Sequence, residues 1–253
     1  MTPIVIKSAK AGNSNNVWGR RCRDVALGFA CLWAGPAGAQ AWGGALGFGS
    51  DNVYRGVSLT TGRPAWLADL HYDFGNGWLA GVGASAERPQ YQDAGAQYTF
   101  YADRRWQLDE DWSVKAGVVH YESPSNVWRY QLNYNDVTVA VGWRGRVRLA
   151  LSVSPDTPGV FTAAGAPTGF AAAAELSVNQ PIAGRLAANA GLGYYDLTDV
   201  AGFGYRYGSL GLSYGAGDVY VYTSLLWSDA NAQRYARGST DRHRWVTTVV
   251  WHF

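Results

Sequence analysis

The strongest candidate for a catalytic cluster in this sequence of 253 residues is His120-Tyr121-Glu122-Ser123. Serine, histidine and a carboxylate can together hydrolyse esters, and a membrane-embedded enzyme of this kind would act on lipid. The chemistry requires the serine and the histidine on the same side of the backbone. In an extended segment His120 and Glu122 share one face while Ser123 points to the other, and Pro124 begins a loop. We therefore expect no catalytic site here.

Metal and phosphate chemistry is equally poorly supported by the residue spacing. No arrangement of histidine, cysteine and carboxylate residues matches a closed metal site. Gly191-Leu192-Gly193 and Gly202-Phe203-Gly204 resemble fragments of glycine-rich phosphate loops, but no helix follows either of them. The sequence predicts no metal site, no cofactor and no enzymatic activity.

Most of the chain consists of segments in which apolar and polar side chains alternate. These segments recur roughly every 15 to 20 residues, the spacing of strands of about ten residues joined by turns. About twelve are present after residue 41. We expect the first to run from Trp42 to Arg55 and the sixth to lie between Trp128 and Trp143.

The composition is that of a membrane barrel. Aromatic residues make up 14% of the chain and there are 32 glycines, yet the mean hydropathy is only −0.17. No run of about 18 apolar residues is present, which excludes helical membrane spans. A closed barrel, by contrast, can cross a bilayer with half of its strand residues polar.

Connections of two lengths alternate along the chain. Those near Gly75, Asp109, Arg144, Ala183 and Gly217 are short, and those near Gly62, Pro124, Pro158, Asp199 and Arg237 are mostly longer. Outer-membrane barrels have short periplasmic turns and longer external loops, whereas a soluble β-sandwich needs no such asymmetry. We predict an all-β fold for residues 42–253, a transmembrane antiparallel up-and-down β-barrel of about 12 strands.

The amino terminus has the features of a signal peptide, which we place at residues 1–41. Five basic residues precede an apolar run that begins at Val25, and a stretch of small residues then offers cleavage after Ala39 or Ala41. Arg20-Arg21 admits a twin-arginine signal as an alternative. Without this segment the chain has no cysteine and a formal charge of about −2, so nothing suggests nucleic-acid binding.

The last nine residues predict a membrane-spanning strand. Trp245, Thr247, Val249, Trp251 and Phe253 share one face of it, with aromatic side chains at both ends. The strand resembles the last strand of bacterial outer-membrane barrels. We expect Trp251 and Phe253 to form the assembly signal. The expected partners are the barrel-assembly machinery, periplasmic chaperones and the lipids of a Gram-negative outer membrane.

Charged residues on the polar faces of the strands are the candidates for lining the lumen. These are Asp69, Lys115, Asp136, Arg146, Arg148, Glu175, Arg185 and Arg244. Eight strands leave room only for side chains and sixteen leave an open channel, so about twelve predict a narrow pore. We expect passive passage of small hydrophilic solutes, with a slight preference for anions because of the arginines.

Two alternatives remain open. A non-conducting structural barrel would bind a partner through its loops, chiefly the connection from Pro155 to Gly169. A lipid-modifying enzyme would need a serine and a histidine paired on the lipid-facing surface.

One stretch near the start of the predicted barrel resembles a known family. Ser50-Asp51-Asn52-Val53-Tyr54-Arg55-Gly56-Val57-Ser58, followed by Arg63-Pro64-Ala65, is similar to the opening of the TorF family of porins, also called Gcw_chp proteins. The family pattern is Ser-Asp-Tyr-x-Phe-Arg-Gly-x-Ser, and this chain has Asn-Val-Tyr in the middle. The matching positions are Ser50, Asp51, Tyr54, Arg55, Gly56, Ser58 and Pro64. The resemblance implies an outer-membrane barrel but no particular substrate.

Overall fold

Twelve antiparallel strands close into a barrel. The structure, a computed structural model, describes residues 41–88, 94–124, 133–158, 168–236 and 240–253. Each barrel strand pairs with the one that follows it in the chain, and the first pairs with the last. The barrel strands are β1 (Ala41–Gly49), β4 (Ala65–Asp73), β5 (Trp78–Glu87), β6 (Gly95–Gln107), β7 (Trp112–Glu122), β8 (Tyr134–Trp143), β9 (Val147–Thr157), β10 (Gly169–Ala183), β11 (Leu186–Leu197), β12 (Phe203–Ala216), β13 (Val219–Ser228) and β14 (His243–His252). The predicted fold class is confirmed.

Four shorter elements lie in the connections. Strands β2 (Val53–Tyr54) and β3 (Val57–Ser58) pair with each other between β1 and β4. Helix α1 (Thr198–Ala201) links β11 to β12, and helix α2 (Ala230–Tyr235) follows β13. None of the described helices is both long enough and apolar enough to cross a membrane.

The alternating sequence determines the two surfaces of the barrel. In β14, Trp245, Val249 and Trp251 are exposed on the outer surface, whereas Val250 and His252 are buried inside. Phe253 exchanges two backbone hydrogen bonds of 3.1 Å with Gly44 of β1, which extends the pairing that closes the barrel. The predicted faces of the terminal strand therefore match the structure.

The two ends of the barrel differ in their connections. One end, which we call the turn rim, carries Ala41, Phe253 and the short turns. There, Arg144 and Gly145 both have positive φ, 51° and 64°, as the tight hairpins of two-residue type require. The other end, the loop rim, carries β2, β3, both helices and the longer connections.

One expectation about the elements is wrong. The first strand ends at Gly49 instead of continuing to Arg55, because the chain turns into the barrel after Ser50. The connections near Asp199 and after Ser228 contain the short helices α1 and α2. The predicted signal segment up to residue 40, residues 128–132 and most of the loop from Pro155 to Gly169 lie outside the described residues.

Candidate functional site in the barrel lumen

Residues 50–64 form the inward hairpin, the connection between β1 and β4 that folds into the loop-rim half of the lumen. Strands β2 and β3 pair through Val53 with Ser58 and Tyr54 with Val57. Arg55 and Gly56 make the turn between them with φ of 45° and 77°. Every residue from 51 to 58 is buried. This hairpin is the segment that carries the family-like motif.

The tip of the hairpin reaches the far wall of the barrel. Nη2 of Arg55 donates to Oδ2 of Asp136 at 3.0 Å, and the hydroxyl of Tyr54 donates to the same oxygen at 3.1 Å. Asp136 belongs to β8, which is five strands from β1 in one direction and seven in the other. The hairpin therefore spans the lumen.

The ion pair at the tip is sealed from solvent. The side chains of Arg55 and Asp136 are 2% and 0% exposed. The guanidinium carbon of Arg55 lies 4.7 Å from the ring centre of Tyr54 and 4.4 Å from that of Tyr195. Burial lowers the pKa of Arg55, but the attraction of Asp136 and smaller contributions from Tyr195 and other neighbours raise it well above its ordinary value. Arg55 consequently stays charged, and the pair holds the tip in place.

A second set of polar contacts fixes the base of the hairpin. The Asp51 carboxylate accepts hydrogen bonds of 2.7 Å from the hydroxyls of Ser58 and Thr60, and Arg244 of β14 pairs with its other oxygen. The backbone N–H of Ser58 donates to Thr240 at 2.9 Å. Asp51 thus joins both arms of the hairpin to the barrel wall.

Apolar packing completes the docking of the hairpin. Val57 belongs to a buried cluster with Tyr195 and Tyr207 of the wall and Ala232 of α2. A Cβ at Gly56 would lie 2.5 Å from Cβ of Tyr207, so no side chain fits at this position. Asp229 caps α2 by accepting from the N–H of Ala232 at 3.0 Å, which places the helix against the cluster.

Charged and polar side chains line the turn-rim half of the lumen. Asp69 accepts from the hydroxyl of Tyr101 at 2.7 Å and contacts Nδ1 of His71 at 2.7 Å. Lys115 pairs with Asp103 at 2.8 Å, and this pair is partly exposed. Unlike the ion pair of the hairpin, these contacts join side chains of the same wall strand, of adjacent strands or of strands two positions apart.

Six of the eight predicted pore-lining residues lie on inward-facing positions of the strands: Asp69, Lys115, Asp136, Arg148, Glu175 and Arg244. Glu175 accepts a hydrogen bond of 2.6 Å from Tyr207. Arg146 and Arg185 are instead exposed in turns at the turn rim, because β8 and β10 reverse direction there. Their expected inward orientation within strands is corrected accordingly.

The family-like residues fall into two groups. Asp51, Tyr54, Arg55, Gly56 and Ser58 are buried in the inward hairpin. Ser50 and Pro64 are exposed at its two ends, where the Ser50 hydroxyl accepts from the N–H of Thr247 at 3.1 Å.

Sequence reasoning missed the tyrosines that enclose the hairpin tip. Tyr195 and Tyr207 follow the inward phase of β11 and β12, so alternation could have placed them inside the barrel. Their role could not be inferred, since it depends on where the hairpin docks.

The histidine cluster does not assemble into a catalytic site. His120 faces outward and its Nδ1 lies 2.9 Å from Oδ1 of Asn135, whereas the side chain of Ser123 is buried. Among the described residues, no group of three or more histidine, cysteine or carboxylate side chains could hold a metal ion.

Comparisons with known proteins identify the fold. No family model and no curated protein matches the chain. Among solved structures, the KdgM porin matches with a TM-score of 0.50 and 11% identity over 84% of this chain and 99% of that one.

Two further structures are similar. A chain from a study of the in-meso crystallization of membrane proteins matches with a TM-score of 0.53 and 11% identity, covering 84% of this chain and 83% of its own. The outer membrane protein OprD from Pseudomonas aeruginosa matches with a TM-score of 0.39 and 10% identity over 76% of this chain and 59% of its own, a likeness too distant to carry an argument. The chain has a porin-like barrel fold.

Proposed function

We propose that this protein is an outer-membrane channel for passive passage of small hydrophilic solutes, in which the inward hairpin narrows the lumen. In this proposal the turn rim faces the periplasm and the loop rim faces outward, following the usual asymmetry of such barrels. The resemblance of residues 50–58 to the TorF family supports the same location.

The observation that carries the proposal is the contrast between the two surfaces of the barrel. Most outward-facing strand residues are apolar, as lipid requires, while the turn-rim half of the interior carries Asp69, His71, Asp103, Lys115 and Arg148. Charged groups in a dry interior are costly unless they are paired, and apolar side chains would fill a purely structural barrel at lower cost. A charged interior is favourable where water and ions have access.

The size of the barrel supports a narrow passage. Twelve strands enclose more space than the eight whose side chains fill the interior and less than the sixteen of an open porin. The hairpin occupies part of this space, and the small cavity between it and the wall, lined by Gly56, Ser58, Leu226, Ser228 and Arg244, has a volume of about 10 Å³. Such a volume holds roughly one water molecule. In the proposed channel the hairpin therefore narrows the loop-rim half of the lumen.

A second candidate is a permanently closed barrel with a structural or surface-binding role. The sealed ion pair between Arg55 and Asp136 favours it, since undocking the hairpin would leave Asp136 as a buried charge. The channel and the closed barrel predict different conductance once the hairpin is removed from the lumen.

A loop replacement separates them. The N–H of Leu59 donates to the carbonyl of Asn52 at 2.7 Å, so the two arms of the hairpin are already paired there. Replacing residues 53–58 by Asn-Gly would close this pair with a two-residue turn and remove the tip of the hairpin from the lumen. The matched control replaces Gly217-Asp218, a turn at the opposite rim, by the same dipeptide.

Single-channel conductance in planar bilayers is the measurement. The channel proposal predicts small conductance for the unaltered protein, a severalfold increase for the hairpin replacement and no change for the control. If the hairpin replacement folds, as shown by heat-dependent gel mobility, and still does not conduct, the channel proposal is wrong and the closed barrel is favoured.

A further inference from the structure

The outer surface of the barrel carries one charged side chain in an unexpected place. Histidines apart, the charged side chains on outward-facing positions of the described strands are Arg104, Glu122, Asp156, Asp196 and Arg206. All of these except Arg104 lie near the loop rim. Arg104 lies in the turn-rim half of β6, between the outward-facing Ala102 and Trp106.

Two tryptophans flank this arginine. Its guanidinium carbon lies 5.4 Å from the ring centre of Trp78 and 5.2 Å from that of Trp106. Trp78 is the directly paired residue on β5, and both rings are exposed on the outer surface. The arrangement stabilises the cation through the ring faces.

The adjacent strand offers the guanidinium no polar partner at the paired position. On β7 the residue paired with Arg104 is Ala116, whose side chain is a single methyl group. Nε of Arg104 is buried and has no hydrogen-bond partner, and among the described residues no carboxylate forms an ion pair with this side chain. A cation on a lipid-facing surface is costly, so an anionic partner from the membrane would stabilise it.

We propose that Arg104, Trp78 and Trp106 form a binding site for the phosphodiester of a glycerophospholipid. The two tryptophans mark the level of the lipid headgroups, as aromatic residues do at membrane interfaces. A guanidinium presents a planar set of donors that fits two phosphate oxygens. The acyl chains would lie over Ala102, Ala116 and the exposed Val118. This inference requires the barrel to be in a bilayer but does not require it to conduct.

Native mass spectrometry of the full barrel released from detergent tests the site. The probes are phosphatidylglycerol, diacylglycerol with the same acyl chains but no phosphate, and inorganic phosphate as a competitor. The unaltered protein should retain one phosphatidylglycerol in preference to diacylglycerol. Arg104→Gln should weaken this binding about tenfold, the loss expected for one charge-assisted contact. The matched control is Arg206→Gln, which lies on the same outer surface but on β12 and near the opposite rim.

Several results would overturn the proposal. One is that the unaltered protein and Arg104→Gln bind phosphatidylglycerol equally well. Another is that Arg206→Gln loses as much phosphatidylglycerol binding as Arg104→Gln. A third is that the unaltered protein retains diacylglycerol as well as it retains phosphatidylglycerol. Full displacement of the lipid by inorganic phosphate at the same concentration would show a free-anion site and would also overturn it. If Arg104→Gln does not fold, Trp78→Leu keeps the charge, removes one ring, and should still weaken phosphatidylglycerol binding. Unchanged binding would reject the site.

Discussion

Two clusters of charged side chains inside the barrel differ in what they hold together. The Arg55–Asp136 pair joins the tip of a loop to a distant wall strand and is sealed from solvent. The Lys115–Asp103 pair joins two adjacent strands and is partly exposed. The first pair constrains a segment that could otherwise move. The second pair joins two strands that backbone hydrogen bonds already hold together. Two ion pairs of similar length can therefore differ in whether they restrain the motion of a segment.

The largest difference is expected when one partner of the sealed pair is removed. Asp136→Ala leaves the Arg55 guanidinium buried without its counter-charge, which costs about 3–5 kcal/mol. The hairpin should undock, because that releases the charge to water while the barrel strands stay paired. We expect faster amide hydrogen exchange in residues 51–60 and a severalfold higher conductance.

The double variant Arg55→Met/Asp136→Leu is the control for this prediction. It replaces the pair by apolar side chains of similar size, which is often neutral or stabilising. Its hairpin should stay docked and its conductance should stay low. If both variants exchange and conduct like the unaltered protein, the pair does not hold the hairpin.

A steric change at the tip should have the second largest effect. Gly56→Val places a β-branched side chain at a φ of 77° and against Cβ of Tyr207. Left-handed backbone costs such a residue about 1–2 kcal/mol, and overpacking adds about 1–3 kcal/mol. Conductance should rise, but less than in Asp136→Ala.

Gly217→Val tests the backbone strain alone, since Gly217 also has positive φ but a Cβ there meets nothing within 4 Å. This variant should lower the free energy of unfolding slightly and leave conductance unchanged. Equal conductance in Gly56→Val and in the unaltered protein would show that the tip can shift without undocking.

The sequence pattern predicts the direction of side chains in the barrel wall but does not predict the docking of the inward hairpin. Alternation correctly placed Asp69, Lys115 and Asp136 on the inner face, because the side-chain direction in a strand follows from its phase. Alternation does not predict the inward hairpin of residues 50–64, because the pattern extends the first strand to Arg55. Arg55 and Asp136 are 81 positions apart and Arg244 and Asp51 are 193 apart, so no local pattern links them.

One local signal could have indicated the hairpin. A strand continuing to Arg55 would have put Asp51, Val53 and Arg55 on the same face, mixing charges with an apolar side chain. The following Gly56 marks a turn instead. Two short strands around Arg55-Gly56 fit the sequence better, but the docking of that turn in the lumen depends on the closed barrel.

A smaller effect is expected at the partly exposed pair. Lys115→Met removes the charge that faces Asp103 while keeping most of the aliphatic side chain. Because the side chains of Lys115 and Asp103 are 17% and 9% exposed, more than those of the sealed pair, the free energy of unfolding in urea should fall by less than the roughly 3–5 kcal/mol expected for Asp136→Ala. Hydrogen exchange in the hairpin should not change. A loss as large as that of Asp136→Ala would remove the distinction between the two clusters.

The smallest expected effect concerns ion selectivity. Arg148 faces the lumen near the turn rim, and Arg146 is exposed in the adjacent turn, so both would lie along the periplasmic entrance of the proposed channel. Replacing both by Ala should move the reversal potential in a salt gradient toward cation selectivity, because the entrance loses two positive charges. The shift should be largest at low ionic strength, where screening is weak. It should also be larger in the hairpin replacement, whose current is no longer limited at the loop rim. An unchanged reversal potential in both backgrounds would mean that these arginines do not set selectivity, and the charges near the hairpin would then be the ones to test.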